Sequence, residues 1–400
     1  MAVDIDRFLA KRVQSKMAKG VHDINRMAKQ LEKSGHKIVR LVQGEPDFDT
    51  PAHIKKAAEE ALTKGMTHYS PVEGLEEVRR IVAEKIKRDI GVNYIPEKEV
   101  LVTEGGTLGL FIAIMALINP GDEIILPEIT FGPYLNMLSL AEGKPVFIPV
   151  ERKGENFVIH WEEITKLATS RTKAVLLNNP QNPLGIVMSR KELELVGEMV
   201  IKKDLMVISD EVYEKLTFDA LKHISLASLS EELKERTIIV NSFSKTYAMT
   251  GWRVGFTAAN PELTRAMSRI YQGSARCAAP FTQMAVKAAI QSSQDCVEEM
   301  RQQYDERRKA LYNGLKEIEG MIVPYPQGAF YIFADVRAFG MTSWDLTLHL
   351  LQEGHVVVSP GSYYGPGGEG YIRFSYATPK EEILIGLEGI KKALKEIRKK

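Results

Sequence analysis

Hydrophobic residues follow two rhythms along this chain. Through its middle they gather in short unbroken runs: Val100–Thr103, Glu123–Leu126, Val146–Val150, Ala174–Asn178, Met206–Ser209, Thr237–Asn241 and Val254–Ala258. Runs of aliphatic and β-branched residues without polar alternation read as strands covered on both faces. Between them the period is helical. Leu108–Ile118 is an apolar helix stopped by Asn119-Pro120-Gly121,. Arg190–Lys203 follows Ser189, with Glu192 three residues on, the pattern of a capping box,. Alternation of this kind predicts right-handed βαβ units and a mainly parallel sheet, an α/β fold.

The last hundred residues read differently. A long helix is expected over Val297–Ile318. A strand at Ala329–Ala334, a helix at Ser343–Glu353, strands at His355–Ser359 and Tyr371–Tyr376 and a helix at Lys380–Ile397 follow. This is a smaller α+β domain. The expected division is a large α/β domain over 48–296 and a small domain built from 1–47 plus 297–400. No internal repeat or low-complexity linker interrupts the pattern.

Composition narrows the function. The chain has 400 residues, 44 % hydrophobic and 26 % charged, enough for a full core without disulfides or a structural metal,. Lys plus Arg is 53 against 52 Asp plus Glu, a net charge of +1, which argues against a protein that coats nucleic acid or anionic lipid,. The lysine-rich run Lys391–Lys400 reads as a solvated helix face,. Cys277 and Cys296 are the only cysteines, too few for a disulfide scaffold or a four-cysteine zinc site, and no metal is expected,. The apolar run at 108–118 is too short to cross a bilayer, and the N-terminus shows no secretory signal, so a cytoplasmic protein is expected.

In open α/β sheets ligands bind beyond the carboxyl ends of the strands. Here those ends carry Glu104-Gly105-Gly106-Thr107, Asn179 to Gly185, Asp210-Glu211-Val212-Tyr213, and Ser242-Phe243-Ser244-Lys245 followed by Gly251-Trp252-Arg253-Val254-Gly255. Singly, each has an ordinary reading. The glycine pair suits a tight turn, and Asp210 suits a helix N-cap. Lys245 suits a surface lysine, Arg253 and Arg373 suit ion pairs, and Phe131 and Tyr134 suit core or turn aromatics. Together they suit pyridoxal phosphate. A lysine amine condenses with its aldehyde. A carboxylate pairs with the pyridinium so that the ring can act as an electron sink. Asn182 and Tyr213 can donate to the ring oxygen, and a helix N-terminus with hydroxyls and an arginine can take the phosphate.

The residues from Ser242 to Gly255 resemble the lysine motif of class I/II aminotransferases, fold-type I pyridoxal-phosphate enzymes of the aspartate aminotransferase superfamily. Gly44-Glu45-Pro46-Asp47-Phe48 resembles their N-terminal substrate loop. His68-Tyr69-Ser70-Pro71 with Gly74-Leu75 and Arg79 resembles a segment lent to the partner's site. Asn179–Gly185, Ser209–Tyr213 and Tyr371–Ser375 resemble the remaining motifs, so the likeness covers nearly the whole chain in order. The resemblance implies a homodimer and a Schiff-base lysine, Lys245, that also moves the proton between Cα and C4′. It implies that Asp210 holds the ring nitrogen, that Asn182 and Tyr213 hold O3′, and that Phe131 stacks on the ring. Gly106, Thr107, Ser242 and Arg253 would bind phosphate with Tyr69 of the other subunit. Arg373 would fork the substrate α-carboxylate, with Gly44 and Asn182 assisting.

The implied reaction is a ping-pong transfer of an amino group from an L-amino acid to a 2-oxo acid, with 2-oxoglutarate the expected acceptor. Lys245 should be depressed by its cationic surroundings. Whether the donor is aspartate-like or aliphatic/aromatic turns on Arg276, which could meet a distal carboxylate or could be structural. Leu184 replaces the usual threonine, Phe131 a larger or polar aromatic, and Ala275–Pro280 a Ser/Thr-rich stretch; the charge of Glu104 beside the glycine pair has no evident purpose. A pyridoxal-phosphate lyase on the same scaffold and a non-catalytic cofactor-binding regulator are the competing readings.

Overall fold

A computed structural model describes residues 5–13 and 21–397. The first four residues, part of the N-terminal segment, and the last three of the lysine-rich run lie outside them. Seven strands build the main sheet: β1 (Val100–Thr103), β2 (Glu123–Pro127), β3 (Lys144–Ile148), β4 (Thr172–Asn178), β5 (Met206–Asp210), β6 (Thr237–Ser242) and β7 (Gly255–Ala258), in the order β1-β7-β6-β5-β4-β2-β3. Every pairing among β6, β5, β4, β2 and β3 is parallel. Only β7 runs against its neighbours, β1 and β6. The chain leaving β6 spends its connection on a one-turn helix, Phe243–Thr246, and a bend ending at Arg253 in the left-handed region (φ 51°), which turns it back. The other carboxyl ends therefore share one edge of the sheet.

The strand cores are buried, as continuous apolar runs require,, except in β3 at the sheet edge, where only Ile148 is buried and the expected covering of both faces is missing. Helix α1 (Glu76–Ile90) covers one side of the β1 region, and α2 (Gly106–Leu117) lies over β5, β6 and β7. Gly109 lets α2 approach closely, since a Cβ there would stand 3.0 Å from Val240 and 3.1 Å from Thr257. Helix α3 (Pro133–Leu140) follows β2, and α4 (Arg190–Lys202) begins with the capping box expected of it.

The C-terminal part forms a second, three-stranded antiparallel sheet of β8 (Tyr331–Asp335), β9 (Ser359–Pro360) and β10 (Tyr371–Ser375), in the order β8-β10-β9. Helices α5 (Asp295–Lys316) and α6 (Lys380–Ile397) pack beside it. Val39 and Leu41 join the same core as Ile332, Ile372 and Phe374. Two expected strands differ in detail. The run at 146–150 divides at Pro149, which has no N–H for a ladder; Val150 instead opens a hairpin, Val150–Lys153 with Asn156–Ile159,. The run at 355–359 also divides, Val356–Val357 pairing with Val39–Arg40 and Ser359–Pro360 with β10.

The cap of α4 gives a direct test. Ser189 Oγ accepts from Glu192 N at 3.2 Å and Glu192 Oε2 accepts from Ser189 N at 2.8 Å. Ser189→Ala is expected to cost about 1 kcal/mol in denaturant unfolding, with activity unchanged, because only the end of the helix loses a partner.

Candidate active site

The shared edge of the main sheet opens into a cavity of about 500 Å³. The ends of β1, β2, β4, β5 and β6 contribute. Gly106 and Thr107 come after β1, Phe131 after β2, Asn178 and Asn182 from the end of β4, Asp210 and Tyr213 from β5, and Ser242 and Lys245 from β6. Arg253 closes one side; Gly44 and, from β10, Arg373 close the other. The structure thus brings together every expected site residue except Tyr69 and Arg276. Those two lie outside this cavity and beside one another: the Arg276 guanidinium carbon is 4.4 Å from the centre of the Tyr69 ring, which is 75 % exposed. Arg276 holds a left-handed backbone (φ 72°).

Asp210 is 3 % exposed. Its Oδ2 accepts from the Tyr134 hydroxyl at 2.5 Å and its Oδ1 from Val212 N at 3.2 Å. Burial raises its pKa to about 6, against the pull of these two donors,. Lys245 Nζ donates to the Gly44 carbonyl. Its pKa is lowered to about 8, chiefly by burial; Glu45 opposes the shift, while Arg373 and Arg253 add to it. The expected depression is present, but burial rather than neighbouring cations is its main cause.

Arg373 is 4 % exposed and lies in a frame of its own. Nη1 donates to Asn182 Oδ1 at 3.1 Å and Nη2 to the Val42 carbonyl at 2.9 Å. Its guanidinium lies over the Tyr331 ring at 4.1 Å and near Tyr364 at 5.0 Å. Buried Nε has no protein partner among the described residues and stays available to a ligand,. Asn182 is fixed in turn by Asn178, whose Oδ1 accepts Asn182 N at 2.8 Å. Tyr213 and Tyr331 join hydroxyls at 2.9 Å.

At the opposite end, Gly105 precedes the N-terminus of α2 with φ 83°. A Cβ on it would stand 2.7 Å from Arg253 Nη2, so a glycine is needed for the arginine to reach this helix end. Arg253 Nη1 is held by the Thr250 carbonyl at 2.9 Å. Backbone N–H groups, the hydroxyls of Thr107 and Ser242 and the Arg253 guanidinium make an anion site. Glu104, just outside, helps burial push the Tyr271 hydroxyl pKa up.

Several residues were not legible as functional. Tyr134 reads as an ordinary aromatic in sequence, yet it holds Asp210. Tyr331, Tyr363 and Tyr364 also line the cavity. Nothing in their spacing marks them, because Tyr134 approaches from α3, Tyr331 from the second sheet, and Tyr363 and Tyr364 from the short turn after β9. Pyridoxal phosphate fits the donor set: an anion site at one end, a buried carboxylate with only neutral donors at the other, and an amine of lowered pKa between Gly44 and the cavity wall.

A sequence profile of the family described as Aminotransferase class I and II matches residues 36–390. The aspartate aminotransferase of Pyrococcus abyssi is 42 % identical over 361 residues, 90 % of this chain and 92 % of that protein. Aromatic-amino-acid aminotransferase 2 of Thermococcus litoralis is 41 % identical over the same shares of both chains. The crystal structure of an aromatic aminotransferase from Pyrococcus horikoshii superposes with a TM-score of 0.88 at 42 % identity, covering 93 % of this chain and 99 % of that one. Matches of this length and identity, on a fold that carries the matching site, mean that this chain belongs to the class I and II aminotransferases, pyridoxal-phosphate-dependent enzymes of fold type I.

Proposed function

We propose that the enzyme transfers the amino group of an L-amino acid to a 2-oxo acid, 2-oxoglutarate as acceptor, in two half-reactions at this cavity. The observation that carries this reading is the pairing of an amine of lowered pKa, Lys245, with a buried carboxylate, Asp210, in one enclosure. When bound, pyridoxal phosphate supplies an aldehyde that condenses with amines and a ring that accepts the electron pair released at Cα. Lys245 holds the cofactor, then takes and returns the Cα proton; a pKa near working pH suits both tasks. Asp210 keeps a proton on the ring nitrogen, and Tyr134 orients that carboxylate. Asn182 and Tyr213 donate to the ring oxygen, and Phe131 stacks on the ring. Gly106, Thr107, Ser242 and Arg253 bind the phosphate. Arg373 binds the α-carboxylate, helped by Asn182 and the Gly44 backbone.

The donor class follows from the walls. Beyond Arg253 and Arg373, and Lys245 itself, no cation lines the cavity among the described residues, whereas Phe131, Tyr331, Tyr363 and Tyr364 do. That favours aromatic and other apolar side chains. Arg276 favours a second reading. Stacked on Tyr69 at the surface, it would enter the site of a second copy together with Tyr69 and meet a distal carboxylate there. We read the protein as a homodimer on these two residues and on the face of α2, where Leu108 and Phe111 are only half-buried and Met115 is exposed although the helix is apolar all round. Residues 48–296 form the large domain and 1–47 with 297–400 the small one, a division supported by the shared core of Val39, Leu41 and the second sheet. Both cysteines are free, which supports a cytoplasmic location,. No helix among the described residues is long and apolar enough to cross a membrane.

Adding single amino acids to the cofactor-loaded enzyme without acceptor is expected to shift the visible band and release one equivalent of 2-oxo acid. Ammonia with pyruvate would indicate a lyase, and no change a regulator. Lys245→Ala is expected to lower turnover about 10⁴-fold or more. Arg276→Ala should abolish reaction with aspartate and spare phenylalanine; equal loss of both would mean a structural arginine. For apoprotein, the rate of pyridoxal-phosphate uptake should rise about tenfold per pH unit below the Lys245 pKa of about 8 and level off above it, because only the neutral amine condenses,.

A further inference from the structure

Two consecutive arginines on α5 hold two different loops. Arg308 turns inward, with Nη1 and Nη2 donating to the two oxygens of Asp219 at 2.7 and 2.8 Å, between the rings of Phe218 and Tyr325. It fixes the segment that follows Tyr213. Arg307 turns the other way. Its Nη1 donates to Asp47 Oδ1 at 2.7 Å, and its guanidinium lies 4.7 Å from the centre of Phe48 and 5.7 Å from that of Tyr304. Phe48 and Tyr304 meet edge to face at 5.2 Å. Arg307 itself is 7 % exposed.

Asp47 and Phe48 belong to the loop that carries Gly44. Among the described residues, no backbone–backbone hydrogen bond involves residues 43–49. Side chains hold this loop instead. Lys245 Nζ reaches Gly44 O, Thr250 Oγ1 donates to Glu45 Oε2 at 2.9 Å, and Arg307 takes Asp47. The first of these depends on the reacting amine, which cannot serve as a permanent tether. The Thr250 contact lies inside the cavity, where a ligand competes for it. Arg307 is the tether outside the reacting space, and it links the loop to the helix that packs against the second sheet.

We propose that Arg307 is a positioning residue that holds the Gly44–Phe48 loop over the mouth of the active site for substrate binding. This rests on the reading of that loop as the substrate loop. The guanidinium is suited to the task in a way an ammonium is not. It forms the ion pair with Asp47 and lies against two rings at once, and a planar delocalised cation does both. A displacement of about 1 Å in a positioning element can cost on the order of 100-fold in rate.

The test uses the holoenzyme with an amino acid that the wild type converts. Arg307→Met is expected to lower kcat/KM about 10- to 100-fold, chiefly through KM, with the dissociation constant for pyridoxal phosphate unchanged within about twofold. Binding of 3-phenylpropanoate, read from the absorbance of the bound cofactor, should weaken in parallel. Arg307→Lys should recover part of the loss. Asp47→Asn should reproduce it, and the double variant should be no worse than either single, as expected for one shared contact. The Asp47 side chain is 21 % exposed, so Asp47→Asn carries the test if Arg307→Met fails to fold. Wild-type kcat/KM in Arg307→Met or in Asp47→Asn, additive losses in the double variant, or a fall in kcat and cofactor affinity at constant KM would each overturn the proposal. A wild-type enzyme that releases no 2-oxo acid would overturn the reading of the site and, with it, the role of Arg307.

Discussion

A carboxylate taken out of water costs several kcal/mol unless hydrogen-bond donors and a cation meet it. Asp210 stands at the carboxyl end of β5, the central strand of the main sheet, and is almost wholly buried. Two neutral donors, Tyr134 and Val212, meet it within the protein. They do not cancel the cost of burial, and the pKa remains raised to about 6. On the proposed reading, a pyridinium N–H⁺ would supply the missing charge. The same cavity has the helix N-terminus at Gly106 and the Arg253 guanidinium on its wall, so an anion site and the buried carboxylate share one space.

The parallel sheet makes this possible. Strands running in one direction put their carboxyl ends on one edge, so residues far apart in the chain face a common space. Lys245 and Asp210 lie in that space without a direct hydrogen bond between them. Burial lowers the pKa of the amine and raises that of the acid, so both stand nearer neutral pH than they would in water. The second sheet completes the enclosure. Arg373 spans the boundary, reaching Asn182 from β10 while resting on Tyr331 of β8. Arg373 therefore ties the C-terminal sheet to the main one, and Lys245 and Thr250 tie the Gly44 loop across the same boundary, while Arg307 holds that loop from the helix beside the second sheet.

Much of this was legible in the chain. The unbroken runs marked the strands to within a few residues, because a strand covered on both faces admits few polar side chains. The polar groups that line the cavity follow those runs, so Lys245, Asp210, Asn182 and Arg253 could be found by asking what comes after each strand. The capping box at Ser189 was readable because its partners are three residues apart. The reversal of β7 was not, since a short apolar run has no direction. Nor were the breaks at Pro149 and within 355–359, which depend on where ladder partners lie.

What the sequence determined by itself was the set of local choices: which segments are strands, where helices start and stop, and which polar groups sit at their ends. These rest on interactions between residues a few positions apart. Only the tertiary structure decided that Tyr134 reaches Asp210, that Tyr331 joins Tyr213 and lies under Arg373, and that Arg307 holds Asp47 from 260 residues away. It also kept Tyr69 and Arg276 together outside the cavity. Contacts of that kind join elements whose relative position is set by packing of the whole core, and no spacing along the chain encodes it.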